Sequence, residues 1–136
     1  MLTHFQSPLA LAARILMALL FLPEGINKFA GFSGTARYIQ AAGLPWPELG
    51  AVQAIVLEVG GSLALLAGFH TKRVALGMAA FTVATGFFFH KFWAVPVDQA
   101  GLQHIMFFKN MAIAGGLCML AAFGAGAWSL DARRAG

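Results

Sequence analysis

Charge is scarce in this sequence: five acidic and nine basic side chains in 136 residues, 10% in all, against 60% hydrophobic. A soluble domain carries about 25% charged residues, and a globule of this size could not coat its surface with so few. That excludes an ordinary soluble enzyme and points to lipid as the solvent. Cysteine is scarcer still. Cys118 stands alone, so an intrachain disulfide, a CxxC redox pair and a multi-cysteine metal centre are all excluded. No Gly-x-Gly-x-x-Gly fingerprint occurs, and no flavin or nucleotide site within the chain is expected. The net charge of +4 is scattered among apolar segments and forms no dense stripe, which argues against nucleic acid as a partner and for membrane topology. No basic residue precedes the apolar run near Leu9, and Arg14 lies inside it; the run is expected to be retained rather than cleaved as a secretory signal.

What the sequence does have is four apolar stretches, each near the roughly 20 residues that a helix needs to cross the hydrocarbon core. They cover residues 8–29, 47–68, 73–93 and 102–123. The expected fold is all-α: one transmembrane domain over residues 1–136, an antiparallel up-down bundle of four membrane helices. A polar, glycine-containing stretch, 31–46, separates the first two, and Pro45-Trp46-Pro47 marks a boundary, with Trp46 expected at the lipid interface where the second helix starts. The link 69–72 is so short that it permits only a hairpin. Pro96, Asp98 and Gly101 interrupt the pattern before the last stretch, which Gly124 and Gly126 end. Lys72, Arg73, Arg133 and Arg134, with Arg14 nearby, mark one side of the membrane; Lys28, Arg37 and Lys91 mark the other. The positive-inside rule then places both termini in the cytoplasm.

A faint repeat relates the two hairpins: residues 60–69 resemble 115–124, and Lys28-Phe29 matches Lys91-Phe92. Duplication accounts for this, and so does the recurrence of small residues in any membrane helix. Small residues let backbones approach closely. Ala51, Ala54, Glu58, Gly61 and Leu65 share one face of the second helix, and Lys109, Ala112 and Gly116 share one of the fourth. Small surfaces on several helices also make a homo-oligomer plausible.

Each charge held at a helix centre costs about 2.5 to 3.5 kcal/mol on insertion scales, so the polar groups inside this apolar chain are the candidates for function. Glu58 is near the middle of the second helix, with Arg14 and Lys109 placed to approach it from opposite sides and Asn110 beside Lys109. An ion pair that fixes helix register is the structural reading of Glu58 and Arg14; a working carboxylate is the functional one. A second group collects toward the other leaflet: Glu24, Lys28, His90 and His104. Glu24 and Lys28 have favourable i,i+4 spacing, and Pro23 removes a helix hydrogen bond just before them, which can open a pocket. His90 sits in Phe87-Phe88-Phe89-His90-Lys91-Phe92-Trp93, a run suited to lipid anchoring. A histidine there also suits hydrogen bonding to a quinone carbonyl or proton transfer during its reduction. Paired histidines could hold haem, but no His-x-x-His or similar spacing exists; without convergent carboxylates or further cysteines, no metal site is expected.

Taken in order, Arg14, Lys28-Phe29-Ala30-Gly31-Phe32, Gly43-Leu44-Pro45, Glu58-Val59-Gly60-Gly61, Gly68-Phe69-His70-Thr71-Lys72-Arg73, His90-Lys91-Phe92-Trp93, Lys109-Asn110, Gly115-Gly116 and Gly124-Ala125-Gly126 resemble the DoxX family over essentially the whole chain. Pro23 and Glu24 are less typical of that pattern. The resemblance implies four helices in a bacterial cytoplasmic (inner) membrane and membership in oxidoreductase systems, with Arg14, Lys28, Glu58, His90, Lys109 and Asn110 as the matching polar positions. The resulting expectation is a quinone-linked membrane subunit acting with a redox partner protein that carries the electron-transferring cofactor. Glu58, His90 and Lys109 are then the catalytic candidates. Arg14, Glu24, Lys28, His104, Asn110 and Trp93 are the candidates for ligand binding. The competing classes are a non-enzymatic membrane anchor or assembly factor and a small-solute transporter.

Overall fold

The computed structural model describes residues 5–135. Its four long apolar helices are α1 (Gln6–Ala30), α3 (Pro47–Ala67), α4 (Thr71–Phe89) and α5 (Val97–Phe123). Two short helices complete it, α2 (Phe32–Ala41) and α6 (Leu130–Arg134). Among the described residues every regular element is helical, as an unbroken apolar chain in lipid requires for its backbone hydrogen bonds. The connections at one end are short, so neighbours in sequence run antiparallel. The start of α1 and the end of α5 therefore share one end of the bundle, called here the terminal end; the opposite one is the loop end.

Three boundaries differ from the sequence expectation. Residues 31–46 are not a plain loop: α2 is amphipathic and buries Ala36 and Ile39, three residues apart on one face. The third membrane helix stops at Phe89, four residues before Trp93. His90 leaves the helical region at φ −122°, ψ 47° while its N–H still caps Gly86 O. Pro96 and Asp98 begin α5 rather than interrupting the chain before it. Proline ahead of the first turn and an acid within it are helix-start chemistry, so the fourth helix gains a turn at its loop end.

The helices pack as two tight pairs, α1 against α3 and α4 against α5. Their common core is Phe21, Leu65, Ala75, Met78, Ala79, Ala114, Leu117 and Leu120. All but Phe21 belong to the terminal half, where small residues bring the pairs together. A Cβ on Gly61 would lie 2.6 Å from Met78 Sδ, and one on Gly116 would lie 2.5 Å from Met17 Cε. The face of α3 read from sequence is the buried one: Ala51, Ala54, Glu58, Gly61 and Leu65 all turn inward. The face of α5 turns inward only at Gly116. Lys109 and Ala112 are exposed, and α5 buries Phe107, Ala114, Leu117 and Leu120 instead, because that set packs on α4. A single π turn, Val56–Gly60, interrupts α3, whereas α5 runs through unbroken.

The chain after α5 folds across the terminal end and is stitched there. Arg14 is fully buried and donates to Leu65 O at 3.2 Å, Leu66 O at 3.2 Å and Trp128 O at 2.6 Å. It thus binds two carbonyls of the last turn of α3, Leu65 O in addition to its bond from Gly68 N–H, and fastens them to the C-terminal segment. Gly68 makes room for this: its φ of +65° favours glycine, and a Cβ would collide with Ser129 and the Arg14 guanidinium. Asp131 accepts from the backbone N–H groups of His70 (2.7 Å) and Thr71 (2.8 Å), capping the start of α4 from a segment 60 residues away. Burial, the largest single influence, pushes the Asp131 carboxyl up, but these hydrogen bonds and the nearby His70 charge together bring it below the ordinary aspartate range. A depressed folded value means that the carboxylate stabilises the fold fully above the unfolded pKa of about 4 and loses that contribution as pH falls through it toward the folded value. Thermal unfolding in detergent is expected to separate wild type from Asp131→Ala by a constant interval from neutral pH to about pH 4, and by a shrinking one below. An interval independent of pH throughout the acid range would show that the cap does not depend on ionised Asp131.

Candidate functional site

The loop half of the bundle is where the two helix pairs part, and there they enclose a partly open cavity of about 880 Å³. Leu20, Phe21, Leu57, Phe81 and Ile113 give it an apolar wall, α2 closes it at the loop end with Tyr38 and Ile39, and polar side chains enter from every membrane helix. Glu24, Lys28, Glu58, His90, Lys109 and Asn110 all line it. Six of the nine residues singled out by sequence therefore reach one space.

Glu58 is central. It sits in the π turn, 6% exposed. Such turns widen a helix and are frequent at functional sites. Gly25 of α1 lets the two backbones meet at this level: a Cβ there would lie 2.9 Å from Glu58 Cβ and 2.7 Å from Val59 Cγ2. The cation beside Glu58 is Lys28, with Nζ 2.9 Å from Oε2, not Arg14 or Lys109 as the sequence suggested. Side chains on a helix lean toward its N-terminus, and for α1 that direction runs from the loop end into the bundle. Lys28 is thereby aimed at Glu58 from the last turn of its helix. The contact is ionic rather than an aligned hydrogen bond, and Oε2 accepts no hydrogen bond from the described residues. Lys28 also lies 3.8 Å from Glu24 Oε2 one turn below, as the i,i+4 spacing predicted. One ammonium thus stands between a buried carboxylate and an exposed one.

On the opposite wall, Asn110 Nδ2 donates to Thr82 O at 3.3 Å and Thr85 Oγ1 at 3.2 Å, which ties α5 to α4 by an interhelical bond of the kind that membrane bundles favour. His90 Nδ1 lies 2.9 Å from Gln103 Oε1. With that oxygen as acceptor, Nδ1 holds the proton and Nε2 carries the lone pair in the neutral ring. Lys109 is exposed at the rim, and its Nζ turns one turn toward the loop end to Met106 Sδ at 3.2 Å, as a lysine on a lipid-facing helix does to reach polar surroundings.

Three sequence candidates lie elsewhere. Arg14 is occupied at the terminal end by the three carbonyls described above. Trp93 and His104 belong to an aromatic cluster on the α4–α5 side: Trp93 packs edge-on to Phe107 at 5.6 Å, and His104 meets Phe92 at 4.9 Å and Phe108 at 4.7 Å. Sequence reading missed Tyr38, Gln53, Thr82 and Thr85, which also line the cavity. Tyr38 stacks on Phe89 at 5.1 Å and joins α2 to α4. Its only signal was the face shared by Phe32, Ala36 and Ile39, which makes 32–41 a helix with Tyr38 at its edge.

The sequence that folds into these four membrane helices has relatives among known proteins. Residues 9–91 match the DoxX family. The chain is 46% identical to the inner membrane protein YqjF of Escherichia coli (strain K12) over 121 residues, 89% of this chain and 88% of the relative. It is 39% identical to the inner membrane protein YphA of the same organism over 125 residues, 92% of this chain and 89% of the relative. No solved structure matches it. Four apolar helices, the family match and these relatives agree: the chain is an inner-membrane protein that belongs to the DoxX family.

Proposed function

We propose that the protein is the quinone-binding membrane subunit of a redox system, oriented with both termini in the cytoplasm. The observation that carries this reading is the meeting of Glu24, Lys28, Glu58, His90, Lys109 and Asn110 in one largely apolar cavity within the bilayer. A lipid-soluble ligand with polar oxygens suits such a space, and about 300–1,000 Å³ is the usual size of a small-molecule site. Converting a quinone to a quinol takes two electrons and two protons. The electrons come from a partner oxidoreductase, because this chain has one cysteine and no nucleotide fingerprint. The chain's own residues handle the oxygens and protons. Lys109 donates to a carbonyl oxygen; His90 Nε2 accepts from a quinol hydroxyl or, when protonated, donates to a quinone. Lys28 and Glu58 hold a mobile proton beside the ring, with Glu24 linking them to the rim.

Gently purified protein is expected to retain quinone detectable by mass spectrometry and to bind a short-chain ubiquinone analogue. His90→Gln and Lys109→Met should each weaken that binding by about tenfold, the worth of one hydrogen bond of about 1.4 kcal/mol. His104→Gln, outside the cavity, should leave it unchanged. Protein that neither retains quinone nor binds the analogue would remove this function and favour the anchor reading.

A further inference from the structure

The cavity has two sides that open between helix pairs, and their chemistry differs. Between α1 and α5 the rim carries Glu24 and Lys109, both exposed. Between α3 and α4 it carries Gln53, Leu57, Gly77, Ala80, Ala84 and Phe88, with no charge. This second opening has definite edges. At the terminal end α3 and α4 touch through Gly61 and Met78; contact thins along the π turn and is all but lost beside Pro47–Ile55. At the loop end the Tyr38–Phe89 stack closes it. The result is a side window at mid-membrane depth.

Residues on the window's α4 edge keep it open by being small. Gly77 and Ala80 are exposed, and a Cβ on Gly77 would meet nothing within 4 Å. Nothing in the packing of α4 demands small residues there, since the helix meets α5 at this level through Thr82 and Gly86 on its other flank. Glu58, buried and with Oε2 accepting no hydrogen bond, lines the same space. The exposed charges of the rim, Glu24 and Lys109, thus lie on the α1–α5 side, and the uncharged gap leads out to acyl chains on the other.

We propose that the α3–α4 window is the portal through which the long hydrocarbon tail of the ligand leaves the cavity, so that the bound molecule lies across the bundle with its ring among Lys28, Glu58 and Lys109 and its tail in lipid. A tail left in the window keeps its apolar contacts with the bilayer, while the α1–α5 opening would force it past Glu24 and Lys109. This inference rests on the quinone reading and specifies the ligand class further, as a quinone with a long apolar chain rather than a water-soluble one.

The test uses the full chain in lipid nanodiscs with two probes, a tail-less ubiquinone headgroup analogue and the same ring with a decyl chain. Wild type should bind the decyl form at least tenfold more tightly. Gly77→Leu and Ala80→Leu fill the gap from an exposed helix flank, so folding is preserved; each should bring decyl affinity down at least fivefold and leave the tail-less analogue unchanged. Gly115→Leu, an equally open position on α5 away from the window, should alter neither. If both variants bind the decyl form as wild type does, the portal is wrong and the quinone site stands. If wild type binds neither probe, the quinone reading itself fails and the portal falls with it.

Discussion

Lys28→Met is expected to destabilise the protein by about 3 to 5 kcal/mol, the cost of leaving a buried partner charge uncompensated. The prediction follows from geometry: Glu58 is 6% exposed, its one cationic neighbour at ion-pair distance among the described residues is Lys28 at 2.9 Å, and no aligned hydrogen bond reaches that oxygen. Neutralising both residues removes the unpaired charge. The double variant Lys28→Met with Glu58→Gln should therefore recover most of the loss, since pairs of this kind contribute little beyond an apolar substitute of similar volume. Reversible unfolding of the single and double variants in mixed micelles closes the cycle. Additive losses would show that Lys28 and Glu58 do not act as a pair. Recovery of folding without recovery of quinone binding is the expected signature of a pair kept for chemistry, because packing alone would be content with the neutral version.

Arg14→Met should be at least as damaging, for a different reason. The guanidinium is fully buried, and its three donated bonds reach three carbonyls on two separate segments. Hydrogen bonds to charged groups are worth about 1.5 to 3 kcal/mol each, so losing the set should abolish stable folding or shift the chain into aggregates during purification. Arg14→Lys is expected to rescue poorly, because an ammonium cannot reproduce a planar fork that spans Leu66 O and Trp128 O at once. The readout is the yield of monodisperse protein together with proteolysis of the segment after Gly124. Arg14→Lys protein that keeps that segment protected would show that charge, not the fork, is what matters there.

The positions of Arg14 and Lys28 explain how the sequence could name the ionic residues and mispair them. Arg14 and Lys28 belong to the same helix, 14 residues apart, which is about 21 Å along its axis. Hydropathy marks both as costly in lipid but does not say toward which carbonyl or carboxylate each turns. The lean of side chains along α1 resolves this afterwards: Lys28 points into the bundle from the loop end, whereas Arg14 remains at the terminal end among the carbonyls of Leu65, Leu66 and Trp128. Lys109 shows the converse. Its helix runs the other way, so the same lean carries it toward the loop end and away from Glu58. Glu24, Lys28, Glu58, His90 and Lys109 were legible because ionisable side chains are rare in this composition, and Asn110 because it adjoins Lys109; Gln53 and Thr85 were not, because neutral polar residues occur in membrane helices without functional consequence, and Tyr38 was not, because residues 31–46 read as a connecting stretch.

By itself the sequence determined the solvent, the number of crossings and the set of polar side chains that lipid would reject, since each follows from transfer free energies summed over a window and needs no partner. It also determined the inward face of α3, because that periodicity survives the π turn. Only the tertiary structure decided that Lys28 is the cation beside Glu58, that residues 32–41 roof the cavity and that the helix pairs part in the loop half. Those features depend on how far each helix rotates and slides against its neighbours, set by close contacts at Gly25, Gly61 and Gly116, and a contact between two helices is a property of neither one alone.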